Sequence, residues 1–169
     1  MGNPGGKPVI IVDSREKEIL RQLDPAKASI QEQLLEVGDA ILSERVGVER
    51  KRVEDFLQSI VDQRLFSQLE NLASSFERPL LILEGNPELL FLERDIHENT
   101  IRGVLASIAI DYKVPILWTA NTHETAEQLF WIANREQVLE KREPPVRAKR
   151  KAASTREVQE YLIAGLPGI

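Results

Sequence analysis

Two unbroken apolar runs dominate the hydrophobic pattern of the chain, and each ends in a carboxylate. Residues 8–13 read PVIIVD and residues 80–84 read LLILE. Runs of this length are typical of strands buried on both faces of a sheet. A third run, residues 114–118, contains Pro115 and predicts a strand near a sheet edge, because proline cannot donate to the hydrogen-bond ladder.

Helical spacing of apolar residues fills the intervals between these strands. Recurrence at three and four residues predicts helices at about 53–62, 64–76, 99–111 and 122–142, with a shorter one ending near Leu23. Residues 30–37 are interpreted as an extended approach to the next element, and a helix over 26–35 is the alternative. His97 and His123 stand near helix starts and are predicted to have surface or capping roles.

A hairpin is predicted where two short β-prone segments, 38–43 and 46–51, flank a polar break. A three-residue loop places Asp39 directly across from Glu49, with their Cβ atoms ~5 Å apart on one face. Strand alternation then puts Lys51 on that face and Arg50 on the other. A two-residue loop separates Asp39 from Glu49, so this prediction depends on the loop length.

Two carboxylates held this close repel each other unless one is protonated or a cation lies between them. Oxygen ligands with an open side suit Mg²⁺ or Mn²⁺. A neighbouring lysine can orient an attacking water or offset charge on phosphate oxygens. An isolated Glu-x-Lys is usually a solvated strand edge, but the opposed Asp39 and the nearby Asp55 favour a metal site.

The same segment resembles a known family signature. Gly38-Asp39, Glu49-Arg50-Lys51 and Asp55 are similar to the Gly-Asp…Glu-Arg-Lys-x-x-x-Asp motif of the XPF nuclease family, which includes the archaeal Hef proteins. Asp13, Arg15 and Glu16 match the Asp-x-Arg-Glu element that precedes it. The resemblance covers about residues 9–138. It implies a restriction-endonuclease-like α/β fold, with a central mixed β-sheet flanked by helices, that cuts branched DNA with Mg²⁺ or Mn²⁺.

The resemblance also implies roles for individual residues. Asp13, Asp39 and Glu49 are expected to bind the metal, and Lys51 to assist attack on phosphorus. Arg15 is expected to contact a phosphate near the scissile bond. For Asp13 the alternative role is to cap the helix that follows.

Arg50 and Asp55 complete the expected catalytic set. Arg50 is interpreted as structural or DNA-contacting, because it projects away from Glu49. Asp55 is expected to fix Arg50 or Lys51, and the alternative is that it stabilises a helix N-terminus through the helix dipole.

Composition limits the class of protein. The chain has 169 residues, 42% of them hydrophobic, and its lack of cysteine excludes disulfides and thiolate zinc sites. No apolar run approaches the ~20 residues of a membrane helix. An intracellular location is expected, cytoplasmic or at the nucleoid in an archaeon and nuclear in a eukaryote. The net charge of −5 is unusual for a DNA-binding protein, but basic residues cluster at 141–151.

Four segments are expected along the chain. Residues 1–7 resemble leader or added sequence, 8–142 form the nuclease domain, 143–153 are a basic linker, and 154–169 resemble the truncated start of a helix-hairpin-helix module. The resemblance implies the nuclease region of a longer Hef-like helicase-nuclease, dimerising through helices 99–111 and 122–142. The alternatives are a non-catalytic DNA-binding or dimerisation subunit and a Holliday-junction resolvase.

Overall fold

The apolar runs of the sequence form inner strands of a six-stranded mixed β-sheet. The computed structural model describes residues 6–92, 95–146 and 149. The strands are β1 (Val9–Asp13), β2 (Ser29–Gln33), β3 (Ala40–Ile41), β4 (Val46–Arg52), β5 (Arg78–Glu84) and β6 (Ile116–Thr119). Their order across the sheet is β2-β1-β3-β4-β5-β6. Strand β3 is antiparallel to β1 and β4, and the other three pairs are parallel.

Helices cover both faces of this sheet, as the predicted fold class requires. They are α1 (Lys17–Gln22), α2 (Val53–Val61), α3 (Leu65–Ser75), α4 (Glu98–Ile110) and α5 (Thr122–Asn134). A 3₁₀ turn (Pro87–Phe91) follows β5, and a π-helical turn (Arg135–Leu139) follows α5. Residues of α1 and α5 belong to the apolar core on one face, and residues of α2, α3 and α4 belong to the core on the other.

Most predicted elements are confirmed to within a few residues. Strands β1 and β5 are almost wholly buried because helices pack on both of their faces. Strand β6 lies at the sheet edge, as Pro115 indicates. His97 caps α4 by accepting a hydrogen bond at Nδ1 from the backbone N–H of Asn99, and His123 is exposed in the first turn of α5.

Two predicted helices differ from the structure. The alternative helix over 26–35 is wrong, because residues 29–33 form the edge strand β2, which runs parallel to β1 from the Val9–Ser29 pair onward. The last predicted helix ends at Asn134 rather than near 142. Directly after Asn134 the backbone widens into the π-helical turn. Both segments, the edge strand and the π-helical turn, are rich in polar residues. They lack the apolar spacing by which buried elements are recognised in a sequence.

The π-helical turn directs two polar side chains into the protein. Gln137 Nε2 donates to the carbonyls of Val9 and Leu42 at 2.7 and 2.8 Å, while its Oε1 accepts from the Val9 N–H at 2.8 Å. Glu136 accepts hydrogen bonds from Ser43 Oγ at 2.9 Å and from Arg45 at 2.8 and 3.0 Å. The turn is thereby fastened to the start of β1 and to the β3–β4 loop.

Several sequence predictions lie outside the described residues. These are most of the leader, nearly all of the basic run after Val146, the helix at 155–164 and the hairpin at 165–169. Among the helices that the structure describes, none is long and apolar enough to cross a membrane.

Candidate active site

The β3–β4 hairpin brings Asp39 and Glu49 together. Ala40 pairs with Val48 and Ile41 with Gly47, as the three-residue loop predicts, and Asp39 lies one residue before the first of these pairs. The Asp39 N–H donates to the Val48 carbonyl at 2.7 Å. The Arg50 N–H donates to Asp39 Oδ2 at 2.8 Å, which holds the carboxylate in place beside β4.

Gly38 makes the entry into this hairpin possible. Its φ of +80° lies in the left-handed region that residues with a Cβ rarely adopt. A Cβ at this position would also stand 3.2 Å from the carbonyl oxygen of Val48. The Gly-Asp pair of the motif therefore has a steric reason, because the glycine lets the chain turn closely over β4 and deliver Asp39.

Asp13 reaches the same place from the carboxyl end of β1. Its backbone N–H donates to the Asp39 carbonyl at 2.9 Å. Its buried carboxylate accepts from Arg15 Nε at 2.9 Å and forms an ion pair with Arg15 Nη2 at 2.8 Å. The Leu35 N–H donates to the other oxygen at 3.4 Å. Asp13 thus belongs to the site, with its carboxylate engaged by Arg15.

These three carboxylates line one cleft of about 410 Å³. Two more acids, Glu16 and Glu36, line it as well, and Arg15 is its only basic lining residue within the described chain. Residues of α3 form a wall of uncharged polar groups: Ser67, Gln68 and Asn71. The cleft is therefore strongly negative on one side and neutral on the other.

Burial and mutual repulsion disturb the acids of the cleft. Burial, reinforced by the charge of Glu49, raises the pKa of Asp39 well above its usual range. Burial also raises the pKa of Glu49, although the Lys51 ammonium opposes the rise. The pKa of Glu16 is raised by burial against the opposing effect of Arg50. Neighbouring carboxylates resist ionisation at such a site, and a bound cation would relieve the repulsion between them.

Lys51 lies beside Glu49 on the same face of β4. Its Nζ is 3.6 Å from Glu49 Oε1, and its side chain is buried. Among the described residues, no hydrogen bond or ion pair connects Asp55 with Lys51 or Arg50. Asp55 is exposed in the first turn of α2, because helical periodicity turns it to solvent after the strand ends. The structure therefore brings Lys51 into the site and leaves Asp55 outside it.

Arg50 points to the opposite face, as strand alternation predicts, and is held in a network of carboxylates. Its Nε and Nη2 donate to Glu84 at 2.9 and 2.7 Å, and its Nη1 donates to Glu16 at 2.8 Å. Thr125 also donates to Glu84, at 2.6 Å. Burial favours a higher pKa for Glu84, but the hydrogen bonds from Arg50 and Thr125 outweigh it and lower the pKa.

The donor set fits a hard divalent cation in part. Asp39 and Glu49 offer closely placed oxygens of raised pKa beside open space, which is the chemistry that Mg²⁺ and Mn²⁺ prefer. Within the described chain, no three side chains of His, Cys, Asp or Glu are already arranged around one ion position. The third carboxylate, that of Asp13, is engaged by the Arg15 guanidinium.

Sequence reasoning did not identify the α3 wall or the carboxylate partners of Arg50. Gln68 and Asn71 occupy the polar positions of an amphipathic helix and carry no motif signal. Glu84 carries only a positional signal. Its position at the end of a buried strand was the available signal, and the structure makes it the main partner of Arg50.

Comparisons with known proteins agree with the geometry. The sequence profile of the ERCC4 domain matches residues 12–131. The chain is 47% identical over 164 residues to the Methanocaldococcus jannaschii protein MJ1505, whose name is that of an ATP-dependent RNA helicase, covering 96% of this chain and 20% of that protein. It is 31% identical over 169 residues to the 3′-flap repair endonuclease Xpf of Saccharolobus solfataricus, covering 95% of this chain and 70% of the relative.

A solved structure gives the same result for the fold. XPF from Aeropyrum pernix in complex with DNA superposes with a TM-score of 0.69 at 27% sequence identity, covering 96% of this chain and 76% of that one. The match confirms the predicted restriction-endonuclease-like architecture. The chain spans only a fifth of the length of MJ1505. The similarity therefore bears on the family of this domain and does not give the activity of a whole protein of that length.

Proposed function

Because the chain belongs to the ERCC4-domain family of XPF-like nucleases, we propose that it is an intracellular endonuclease for branched DNA. The reaction is hydrolysis of one strand near the branch of a fork, flap or nicked junction, in DNA repair or the processing of stalled forks. The observation that supports the proposal is the cleft that Asp13, Asp39 and Glu49 line together, the last two carried by one hairpin.

Asp13, Asp39 and Glu49 would hold the metal, with Mg²⁺ as the cofactor and Mn²⁺ able to replace it. When bound, such an ion supplies hydroxide near neutral pH and offsets the charge that grows on phosphate oxygens. The raised pKa values of Asp39 and Glu49 support this assignment, because a cation removes the cost of ionising both. Engagement of Asp13 requires it to exchange part of its contact with Arg15.

Arg15 is proposed to bind a phosphate next to the scissile bond. Its side chain is 67% exposed at the rim of the cleft, although Nε and Nη2 contact Asp13. A guanidinium that is fixed along one edge presents its remaining N–H groups in a defined direction, which suits a phosphate oxygen. This role also explains how a cleft rich in carboxylates accepts a polyanion.

Lys51 is proposed to assist the attack on phosphorus. It is held beside Glu49 with its ammonium buried, so its positive charge acts in a medium that screens it less than water does. Arg50 is proposed to have the structural role of the two predicted for it, which the ion pairs of its guanidinium with Glu84 and Glu16 support. Asp55 is proposed to act on the helix dipole of α2.

A second copy of the chain is the proposed partner besides DNA. Exposed apolar side chains lie on and near the two helices that the sequence associates with dimerisation: Ile110, Trp131 and Leu139. Trp131 is 57% exposed on α5, and Phe130 packs against it edge-to-face. Exchanging Trp131 for Glu is expected to shift the mass measured by light scattering from dimer to monomer, and an unchanged mass would exclude this interface.

Cleavage of a labelled DNA fork tests the proposed activity. The wild-type chain is expected to cut the fork with Mg²⁺ or Mn²⁺ and to stop in EDTA. Asp39→Asn should abolish cutting, and Asp62→Asn, which makes the same change on the exposed residue that follows α2, should cut at the wild-type rate. Cutting by Asp39→Asn, or none by the wild type, would refute the assignment.

A panel of branched substrates separates the fork nuclease from its alternatives. Forks and flaps should be cut faster than four-way junctions, whereas a Holliday-junction resolvase would show the opposite order. A non-catalytic subunit would bind the fork without cutting it. The similarity to MJ1505 supports the proposal that this domain works in a longer helicase-nuclease.

A further inference from the structure

We propose that Gln68 is an additional catalytic residue, whose side-chain oxygen accepts a hydrogen bond from the attacking water. The inference rests on the nuclease activity proposed above. Gln68 lies in α3 and lines the same cleft as Asp13, Asp39 and Glu49. It thus belongs to the uncharged wall of the cleft, where its Oε1 is shielded from solvent and a side-chain rotation would present it to a water.

The state of its Oε1 atom is the main evidence. Among all buried side-chain oxygens and nitrogens in residues 6–92, 95–146 and 149, this atom alone has no hydrogen-bond partner. A buried acceptor without a donor is destabilising and is uncommon in folded proteins. An orphaned acceptor in a reaction cleft is therefore expected to meet its donor when the site is at work.

The surroundings restrict which donor that is. Most of the ionisable residues that line the cleft are carboxylates, which accept hydrogen bonds when ionised, and the Nε and Nη2 groups of Arg15 are already bonded to Asp13 and Leu35. A water molecule has two O–H groups, so it can donate one to Gln68 and keep a lone pair free. A neutral amide is also tolerated where a further carboxylate would add repulsion.

Helix α3 fixes the position of this oxygen. Leu65, Leu69 and Leu72 are buried on the core-facing side of the helix, which packs it against the sheet. Leu72 also reaches the Gly38 turn, where a Cβ on Gly38 would lie 3.5 Å from Leu72 Cδ1. The turn that delivers Asp39 and the helix that delivers Gln68 are therefore in direct contact.

In the hydrolysis, the water oxygen forms a bond to phosphorus and the bond from phosphorus to the leaving deoxyribose oxygen breaks. One water proton passes to solvent, and the departing oxygen takes up a proton. Gln68 neither gains nor loses a proton. Its contribution is orientation, as for glutamines that position the attacking water in phosphoryl transfer.

The test compares Gln68→Met, which keeps the size and removes the acceptor, with Gln58→Met on the exposed face of α2. At saturating enzyme with Mg²⁺, Gln68→Met is expected to lower the single-turnover rate on the fork by about 10- to 100-fold. Its fork affinity in EDTA should stay within about 3-fold of wild type. Its melting temperature without metal should be equal or higher, because an orphaned acceptor is gone.

Gln68→Glu provides the second variant. It restores an acceptor oxygen and is expected to cut the fork faster than Gln68→Met. A wild-type rate for Gln68→Met, or a loss of rate matched by a lower melting temperature, would overturn the assignment while wild type and Gln58→Met remain active. If wild type itself does not cut, the proposed function fails and this inference fails with it.

Discussion

Replacing Asp39 by Asn is expected to stabilise the metal-free protein while removing its cleavage activity. Asp39 is half-buried near Glu49, and burial together with the Glu49 charge raises its pKa. The variant removes the charge and keeps a side-chain oxygen that can accept the Arg50 N–H. Stability and activity should therefore change in opposite directions.

The magnitude is estimated for a charge separation of the order expected between facing side chains of neighbouring strands. Two unit charges ~5 Å apart repel by about 3 kcal/mol at an effective dielectric constant of ~20. The Lys51 ammonium, 3.6 Å from Glu49, offsets part of this repulsion. We expect a gain of about 1–2 kcal/mol in the free energy of unfolding at pH 7, or roughly 3–6 °C in Tm for a chain of this size.

The pH dependence gives the effect its signature. Because the folded-state pKa of Asp39 lies above its unfolded value near ~4, the folded wild type binds the proton more tightly and loses stability as pH rises through that interval. The variant does not titrate at this position. Its advantage should be absent near pH ~4, grow as pH rises and level off above the folded-state pKa.

Urea unfolding in EDTA across this pH range measures the effect. Asp62→Asn is the matched control and should unfold within about 0.5 kcal/mol of wild type at each pH, since Asp62 is exposed. An Asp39→Asn protein that is less stable than wild type at pH 7, or an advantage that does not vary with pH, would refute the electrostatic account of the site.

Three further variants test the packing and the ion pairs around the hairpin. Gly47→Ala should lose about 1–3 kcal/mol of stability, because its Cβ would lie 2.2 Å from the buried Phe76 ring. The control Gly103→Ala has nothing within 4 Å of the added Cβ and should lose none. Equal Tm values for the two variants would contradict the clash with Phe76. Arg50→Met should lose about 3–5 kcal/mol in urea by leaving Glu84 and Glu16 unpaired, whereas unchanged stability with weaker fork binding would indicate a DNA contact instead. Burial favours a higher pKa for Glu136, but hydrogen bonds from Arg45 and Ser43 outweigh it and lower the pKa. Glu136→Gln should therefore lose about 1–3 kcal/mol of unfolding free energy at pH 7, and progressively less as pH falls below ~4. A loss that does not vary with pH would contradict the ion pair.

The sequence predicts the inner part of the fold and the centre of the site well. Strands β1 and β5 are recognisable because burial on both faces requires an unbroken apolar run. The hairpin register, in which Ala40 pairs with Val48 and Ile41 with Gly47, follows from the loop length alone. Local rules suffice in both cases.

The rest depends on contacts between distant segments. Strand β2 has one neighbour and mostly exposed side chains, so nothing selects an apolar pattern for it. The partners of Arg50 lie 34 residues away on either side, and only the assembled sheet brings Glu16 and Glu84 to one guanidinium. Gln68 reaches the cleft because α3 packs where it does, which its own sequence does not specify.

The Gln137 side chain gives the hairpin a mechanical connection to the segment after α5. Its amide joins the first residue of β1 to the last residue before the hairpin loop, and Glu136 grips the loop beside it. Tension on the chain beyond Leu139 would act first on the hydrogen bond from the Glu44 N–H to the Glu143 carbonyl, then on these side-chain hydrogen bonds, and through them on the backbone that carries Asp39. A neighbouring module that pulls on this segment would therefore be able to widen or narrow the cleft that Asp39 lines.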